Sequence, residues 1–139
     1  MPYRVLVADD DDGQRKVHGF ALEVATAILE DEITVVETVT SIDTWEKMKK
    51  EQFDLIILDN DFKDSHMKGH LPGIALLQLG RKEGINKNTP VIFCSADAYE
   101  TLKSMVTKFG GIYLSKVGYD IEKVAHLFAD AIRKKKQTL

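Results

Sequence analysis

The stretch FDLIILDND, residues 53–61, places an acidic residue at the end of a strongly apolar segment. Its four consecutive aliphatic residues, Leu55 to Leu58, are too few for a free-standing helix and include β-branched side chains. They predict a central strand that is buried on both faces. Asp59 follows directly, so it lies at the carboxyl end of that strand, where open α/β sheets bind their ligands. We therefore expect Asp59 to be a metal ligand, a nucleophile or both.

Length and composition favour one ordinary globular domain. The chain has 139 residues, 44% hydrophobic and 29% charged, so we expect a single domain, 1–139, without an output domain. A net charge of −3 and the lack of a basic patch interleaved with aromatics argue against nucleic acid as a partner. No apolar run approaches the roughly 18 residues of a membrane span, and no signal peptide opens the chain. The single Cys94 cannot form an internal disulfide, which favours the cytoplasm.

Short apolar runs alternate with helical patterns along the whole chain. The predicted strands are Val5 to Ala8, Ile33 to Val39, Leu55 to Leu58, Val91 to Cys94, and Ile112 to Leu114. The first helix shows an apolar stripe at helical spacing, formed by Val17, Phe20, Ala21, Val24 and Ile28. The fifth shows Ile121, Val124, Ala125, Phe128 and Ile132. Five strands that alternate with five helices predict an α/β fold, with a parallel sheet covered by helices on both faces.

Several local features carry smaller predictions. Ser41 or Asp43 is expected to cap the second helix, and residues 60–72 are expected to form a long, functional or mobile loop. His66 and His70 in this loop are more simply exposed histidines than a transition-metal site. His18 is expected to face solvent or to pack at an edge.

Polar residues follow four of the five predicted strands. Asp9 and Asp10 follow the first strand, Asp59 the third, Ser95 the fourth and Lys116 the fifth. Carboxyl ends of parallel strands converge at one edge, where three carboxylates would repel one another without a cation. Oxygen ligands without Cys or His favour a hard divalent ion, and Mg²⁺ is the best cellular candidate.

Together these groups suit phosphoryl transfer. Asp59 can attack in line, while a metal ion and Lys116 balance charge on the transferred oxygens and Ser95 offers a hydroxyl. The product would be an aspartyl phosphate. Taken singly, each residue has a simpler explanation as a turn, cap or solvated side chain; the set at matching strand ends carries the hypothesis.

The ordered set of motifs resembles a response regulator receiver domain of two-component signalling, of the single-domain, chemotaxis-regulator-like type. The matching stretches are VLVADDD at 5–11, DLIILD at 54–59, PGIALL at 72–77, TPVIFCSA at 89–96 and YLSK at 113–116. The resemblance spans almost the whole chain, and it implies a doubly wound (βα)5 flavodoxin-like three-layer sandwich with strand order 2-1-3-4-5.

The resemblance also implies a metal site and a phosphoryl donor. Asp59 would accept a phosphoryl group from a phosphohistidine on a sensor histidine kinase or a histidine phosphotransfer protein. Asp9 and Asp10 would hold Mg²⁺ together with a carboxylate oxygen of Asp59 and the backbone carbonyl of Asp61. The domain would act only on its own aspartate, so it would not be an enzyme in the ordinary sense.

The resemblance further implies a switch. Ser95 and Lys116 would contact the phosphoryl oxygens, and movement of Ser95 would let Tyr113 turn inward. The face formed by the fourth helix, fifth strand and fifth helix, residues 98–134, would then change and dock a downstream protein.

The sequence departs from the family pattern in three places. The 60–72 loop is longer than usual. Val117 follows Lys116 where the family has a proline in a cis peptide, so a trans peptide and a displaced Lys116 are expected. Asp61 and Asp97 add acidic side chains that would disfavour an approaching anion.

Two other hypotheses remain open at this stage. Asp59-Asn60-Asp61 after a strand also fits a haloacid-dehalogenase-type phosphatase, although that family places its acidic pair after the lysine. A receiver-shaped binding module that is no longer phosphorylated is the other alternative.

Overall fold

The computed structural model describes residues 2–64, 67–97 and 99–137. Strands and helices alternate strictly along the chain. The strands are β1 (Tyr3–Ala8), β2 (Ile33–Thr38), β3 (Leu55–Asp59), β4 (Val91–Ser95) and β5 (Ile112–Ser115). The helices are α1 (Asp12–Leu29), α2 (Ser41–Lys50), α3 (Gly73–Lys82), α4 (Glu100–Lys108) and α5 (Ile121–Gln137).

The strands form a parallel sheet in the order β2-β1-β3-β4-β5. β2 lies on one side of β1, and β3, β4 and β5 follow one another on the other side, so the chain winds outward from β1 in both directions. The predicted doubly wound, flavodoxin-like α/β fold is therefore confirmed.

Alternating side chains of the sheet fill two separate cores. Val5, Val7, Leu55, Ile57 and Ile92 belong to the core under α1 and α5. Their chain neighbours Leu6, Ala8, Ile56, Leu58, Val91 and Phe93 belong to the core under α2, α3 and α4. All five residues of β3 are buried, as expected for the central strand of a sheet with helices on both faces.

The buried face of α1 differs from the predicted stripe. His18, Ala21, Leu22 and Ala25 are buried, whereas Phe20 and Val24 are 54% and 38% exposed. Two alanines on the inner face allow α1 to lie close to α5, and the bulkier Phe20 and Val24 are turned outward. The prediction that His18 faces solvent or an edge is wrong, because only 1% of it is exposed.

The cap of α2 also differs from the prediction. Thr40, one residue before the two candidates, is the N-cap, and its hydroxyl accepts a hydrogen bond from the amide of Asp43. Ser41 is the first helical residue, and the carboxylate of Asp64 accepts from its amide. A side chain 23 residues away therefore supplies part of the cap, which no local sequence pattern reveals.

None of the helices within the described ranges is long and apolar enough to cross a membrane.

Gly73 brings the start of α3 against the end of β3. Its amide donates to the carbonyl of Asn60 at 2.9 Å. A Cβ atom at this position would lie 1.9 Å from the carbonyl oxygen of Asp59 and 2.8 Å from Cα of Asn60. Glycine is therefore required here by contact with backbone that cannot move aside.

We expect Gly73→Ala to lower the free energy of unfolding by about 1–3 kcal/mol, since the helix must shift away from β3 to admit the methyl group. Urea denaturation monitored by circular dichroism measures this change. Gly19→Ala is the matched control, because a Cβ on this α1 glycine meets no described atom within 4 Å. That control should be neutral or slightly stabilising. A Gly73→Ala protein as stable as the wild type would contradict the close approach.

Candidate functional site

Three carboxylates meet at the carboxyl edge of the sheet. Asp59 is the last residue of β3, and Asp9 and Asp10 follow β1, the adjacent strand. One carboxylate oxygen from each of the three lies within 4.8 Å of the others. Asp9 and Asp59 are buried, and Asp10 is half-buried. Because β1 and β3 are hydrogen-bonded neighbours, their ends cannot separate, and the carboxylates are held together by the sheet.

Lys116 bridges two of these carboxylates. Its Nζ lies 2.8 Å from Oδ1 of Asp59 and 3.2 Å from Oδ2 of Asp9. The backbone amide of Lys116 donates to the carbonyl of Ser95 at 3.0 Å, which fixes the start of the side chain beside the end of β4. The lysine therefore reaches past β4 to the acidic pair.

Burial dominates the electrostatics of Asp59. Loss of hydration raises the pKa of Asp59 to about 7, the negative charges of Asp9 and Asp61 act in the same direction, and the hydrogen bond from Lys116 opposes them. Burial likewise raises the pKa of Asp9. Burial acts to lower the pKa of Lys116, but its hydrogen bond to Asp59 and the charges of both carboxylates outweigh burial and raise it.

The donor set fits a hard divalent cation. Oδ2 of Asp9 is buried and has no hydrogen bond to any described residue, although the ammonium of Lys116 lies 3.2 Å away. When all three are ionised, Asp9, Asp10 and Asp59 carry three negative charges against one positive charge on Lys116. The remaining charge of about −2 and an all-oxygen ligand set match Mg²⁺.

The loop after β3 borders this site. Phe62 is buried in the core under α2, α3 and α4, and the amide of Lys63 donates to Oδ2 of Asp10 at 2.8 Å. Asp61 lies between Asp59 and the buried Phe62, with an exposed side chain. The long loop is thus attached to one of the three carboxylates.

The same loop is attached to α2. Both carboxylate oxygens of Asp64 accept hydrogen bonds from the amide of Ser41, at 3.0 and 3.1 Å. His70 Nδ1 lies 2.8 Å from the Asp64 carboxylate. An anion at a helix N-terminus is electrostatically favourable, so this contact stabilises the course of the loop. His66, the other histidine of the loop, lies outside the described residues.

Ser95 and Tyr113 meet at the loop after β4. The hydroxyl of Ser95 accepts from the amide of Asp97 at 3.0 Å, and the hydroxyl of Tyr113 donates to the carbonyl of the same residue. Tyr113 also lies 3.4 Å from the carbonyl of Ser95, and its ring packs on the core under α4. Asp97 is therefore a shared partner of both side chains.

The departure at Val117 does not displace Lys116. The Lys116–Val117 peptide is trans, as expected without proline, yet Lys116 Nζ contacts Asp59 and Asp9. The expectation of a differently placed lysine is therefore wrong. The hydrogen bond from the Lys116 amide to the carbonyl of Ser95 starts the side chain beside the end of β4, whether or not a proline follows.

Sequence reasoning missed two contributors near the site. Arg15 Nη1 donates to the carbonyl of Asp9 at 2.8 Å, and His18 lies inside the fold with Nδ1 2.9 Å from the hydroxyl of Tyr119. Arg15 is four residues after Asp11, which caps α1, so helical spacing places it near the acidic residues. No signal in the sequence pairs His18 with a residue 101 positions away.

This chain is similar in structure to several known proteins. No protein-family model and no curated protein sequence matches this chain. Its structure resembles a CheY-like response regulator receiver domain protein from Methanospirillum hungatei, with a TM-score of 0.80, 17% identity and full coverage of both chains. It also resembles the receiver domain of the Francisella response regulator 1452, with a TM-score of 0.70, 26% identity, and 96% and 98% coverage.

A response regulator from Thermotoga maritima is similar over 96% of this chain and 99% of its own, with a TM-score of 0.73 and 19% identity. These matches span essentially whole chains on both sides. They show that the chain has the fold of response regulator receiver domains and confirm the resemblance inferred from the motifs.

In metal-free protein, Asp59→Asn should stabilise the fold at alkaline pH. A carboxyl whose pKa rises from 3.8 in the unfolded chain to about 7 in the fold favours folding at low pH. That contribution disappears as the pH rises through this range. We expect the variant to exceed the wild type by on the order of 1–3 kcal/mol at about pH 8, with a smaller difference near pH 4.

Urea unfolding in the presence of a metal chelator, repeated across this pH range, measures the difference in free energy of unfolding between the variant and the wild type. Asp130→Asn, which alters an exposed carboxylate on α5, is the control and should follow the wild type. Identical pH profiles for Asp59→Asn and the wild type would show that burial does not penalise the Asp59 carboxylate.

Addition of Mg²⁺ should raise the melting temperature of the wild type, because the ion relieves repulsion among the three carboxylates. At about a hundred times the dissociation constant, the stabilisation should be roughly 2.7 kcal/mol. Asp10→Asn should lose most of it. Asp12→Asn is matched to it, since Asp12 lies in the same acidic run but pairs with Arg15 and Lys16 and is outside the cluster. Equal stabilisation of both variants by Mg²⁺ would contradict the site.

Proposed function

We propose that this chain is a phosphoacceptor receiver domain of a two-component or phosphorelay system, in which Asp59 accepts a phosphoryl group. The observation that carries the proposal is the contact of one ammonium group, on Lys116, with two buried carboxylates, Asp59 and Asp9. This arrangement holds a nucleophilic oxygen at the carboxyl edge of the sheet beside a positive charge. The receiver-domain fold supports the same conclusion.

The proposed reaction is a single phosphoryl transfer. A carboxylate oxygen of Asp59 attacks the phosphorus of a phosphohistidine, a P–O bond forms, and the P–N bond breaks. The imidazole leaves with the electron pair of that bond and takes up a proton. Lys116, released from Asp59, pairs with a phosphoryl oxygen, and Ser95 can donate its hydroxyl to another. Because Asp59 itself is modified, the reaction is self-modification rather than turnover of a substrate.

Asp9, Asp10, a carboxylate oxygen of Asp59 and the backbone carbonyl of Asp61 are the proposed ligands of Mg²⁺. When bound, this ion would neutralise negative charge on the transferred oxygens. The rest of the chemistry comes from the chain: β1 and β3 hold the carboxylates, and β5 holds Lys116 against them.

We propose that the switch acts through the shared contact at Asp97. If Ser95 turns towards a phosphoryl oxygen, its hydroxyl releases the amide of Asp97. The carbonyl of Asp97 is the acceptor for the hydroxyl of Tyr113. When Ser95 binds a phosphoryl oxygen, the loop that holds Asp97 would therefore move and weaken the hydrogen bond of Tyr113. The result is a shift in population between two positions of Tyr113.

The proposed partners are a sensor histidine kinase or histidine phosphotransfer protein and a downstream protein. The downstream protein would dock on the 98–134 face, of which Ala98 lies outside the described residues. Tyr99 and Met105 are 63% and 37% exposed there, so this face offers apolar side chains. We propose a cytoplasmic location and expect neither nucleic acid nor membrane as a partner.

The phosphatase alternative has less support. The acidic residues beside Asp59 come from β1, which precedes the nucleophile strand, whereas that family's pair follows its lysine. The non-phosphorylated binding module rested partly on a displaced Lys116, and Lys116 contacts Asp59 instead.

Incubation with acetyl phosphate and Mg²⁺ should add one phosphoryl group to the wild type, detected by intact mass and removed by hydroxylamine. Asp59→Asn should acquire none, because its amide is not a nucleophile. Asp12→Asn, which keeps the cluster intact, should behave as the wild type.

A wild-type protein that stays unmodified with acetyl phosphate and with phosphorylated kinases would overturn the proposal in favour of a binding module. Continuous release of phosphate from a phosphomonoester would instead favour the phosphatase.

A further inference from the structure

The turn after Lys116 has few constraints of its own. Val117 is 75% exposed, and its amide donates back to the hydroxyl of Ser115 at 3.1 Å, within the same turn. Gly118 has a φ of +73°, and no described atom lies within 4 Å of the position of a Cβ. Proline, which would stiffen the peptide after Lys116, is absent. The turn therefore needs an anchor from elsewhere in the fold.

Tyr119 reaches the interior immediately after this turn. Its side chain packs against the core under α1 and α5. Its hydroxyl lies 2.9 Å from Nδ1 of His18, and the two rings are tilted by 58° with centroids 5.5 Å apart. A hydrogen bond and a ring contact thus join the turn to α1.

His18 is well suited to hold that hydroxyl. It is 1% exposed, its ring lies 6.0 Å from that of Phe128, and its Nε2 is 3.4 Å from the side-chain nitrogen of Gln14. Burial, and then the charge of Lys116, lower the pKa of His18 to about 4. The ring is therefore neutral at physiological pH, with one N–H donor and one acceptor nitrogen, and does not repel the nearby Lys116.

The position of α1 gives this hydrogen bond its significance. The helix begins at Asp12, two residues after Asp10, and its residue His18 binds the segment that follows Lys116. The bond therefore connects the helix behind the acidic residues with the turn that carries the lysine.

We propose that the His18–Tyr119 hydrogen bond is a positioning contact that holds Lys116 on Asp59 and Asp9 and thereby sets the rate at which Asp59 accepts a phosphoryl group. The effect on phosphoryl transfer rests on the proposed function, whereas the positioning of Lys116 does not. Neither residue touches the reacting atoms, and both act through the lysine.

The physical reason is the flexibility of the lysine and its turn. A lysine side chain carries its ammonium group on a flexible four-carbon stem and has no preferred ion-pair geometry. The position of the ammonium group therefore depends on the position of the backbone from which the side chain extends. The Ser95 carbonyl anchors the amide of Lys116, and Tyr119 anchors the chain three residues later. Loss of the second anchor lets the glycine-containing turn move and lowers the fraction of time in which Lys116 is correctly placed.

The first test measures the lysine without phosphorylation. Brief labelling of amines with acetic anhydride, followed by mass spectrometry of peptides, reports how often each lysine is free to react. Tyr119→Phe removes one hydroxyl and keeps the ring. We expect Lys116 to be labelled about three- to ten-fold faster in this variant, the size expected for one hydrogen bond. Lys82, exposed on α3, is the internal reference and should be unchanged.

Two further sets of variants separate positioning from general stability. Tyr99→Phe removes a hydroxyl from an exposed tyrosine and should label as the wild type. His18→Leu, which has similar bulk but no polar atom, should reproduce Tyr119→Phe. His18→Asn, whose amide can occupy the place of Nδ1, should restore slow labelling.

The second test measures the consequence for phosphoryl transfer. With acetyl phosphate and Mg²⁺, Tyr119→Phe should be phosphorylated about three- to ten-fold more slowly than the wild type. In a Lys116→Met background, the same substitution should have no further effect, because the residue through which Tyr119 acts is gone.

Unchanged labelling of Lys116 in both Tyr119→Phe and His18→Leu would overturn the positioning contact. Changed labelling with an unchanged phosphorylation rate would overturn its effect on transfer. A wild type that accepts no phosphoryl group would overturn the proposed function, while the labelling result would still decide whether the contact positions Lys116.

Discussion

The contact of the Lys116 ammonium with the carboxylates of Asp59 and Asp9 is the interaction on which the site depends. Two buried carboxylates so close together would repel one another strongly without a cation. The sheet order makes the contact possible, because β4 alone separates β5 from β3. Lys116 must therefore reach across the end of β4, and its amide bond to Ser95 directs it there. One lysine thus joins three strand ends into a single site.

This arrangement is electrostatically costly without a metal ion. The pKa of Asp59 rises to about 7 because the carboxylate is buried, and burial likewise raises the pKa of Asp9, whose Oδ2 is compensated within the described residues by the ammonium of Lys116 at 3.2 Å. Such costs persist only where the surrounding fold enforces them, and they concentrate at functional sites. Here the enforcement comes from the parallel pairing of β1 with β3. The close approach of Gly73 to the carbonyl of Asp59 adds to it.

A second set of contacts surrounds the carboxylates and comes from segments far apart in the chain. Lys63 donates its amide to Asp10, Asp64 caps the start of α2, and His18 binds Tyr119. The loop after β3 is therefore attached to α2, and the turn after β5 to α1. These hydrogen bonds hold the long loop after β3 and the turn after Lys116, which has no proline to restrict its backbone.

Local patterns determined the order and type of the ten elements in the described part of the chain, and the polar residues at the strand ends, because burial on two faces requires apolar runs and each run stops at the sheet edge. They did not determine the inner face of α1, the Thr40 cap or the buried state of His18. The inner face of α1 depends on packing against α5, and the buried His18 has its partner in the hydroxyl of Tyr119. The carboxylate of Asp64, from the loop after β3, accepts from the amide of Ser41 beside the Thr40 cap. Tertiary structure also decided that Lys116 contacts Asp59 despite Val117, since a backbone bond to a neighbouring strand, which no sequence pattern encodes, sets where that side chain begins.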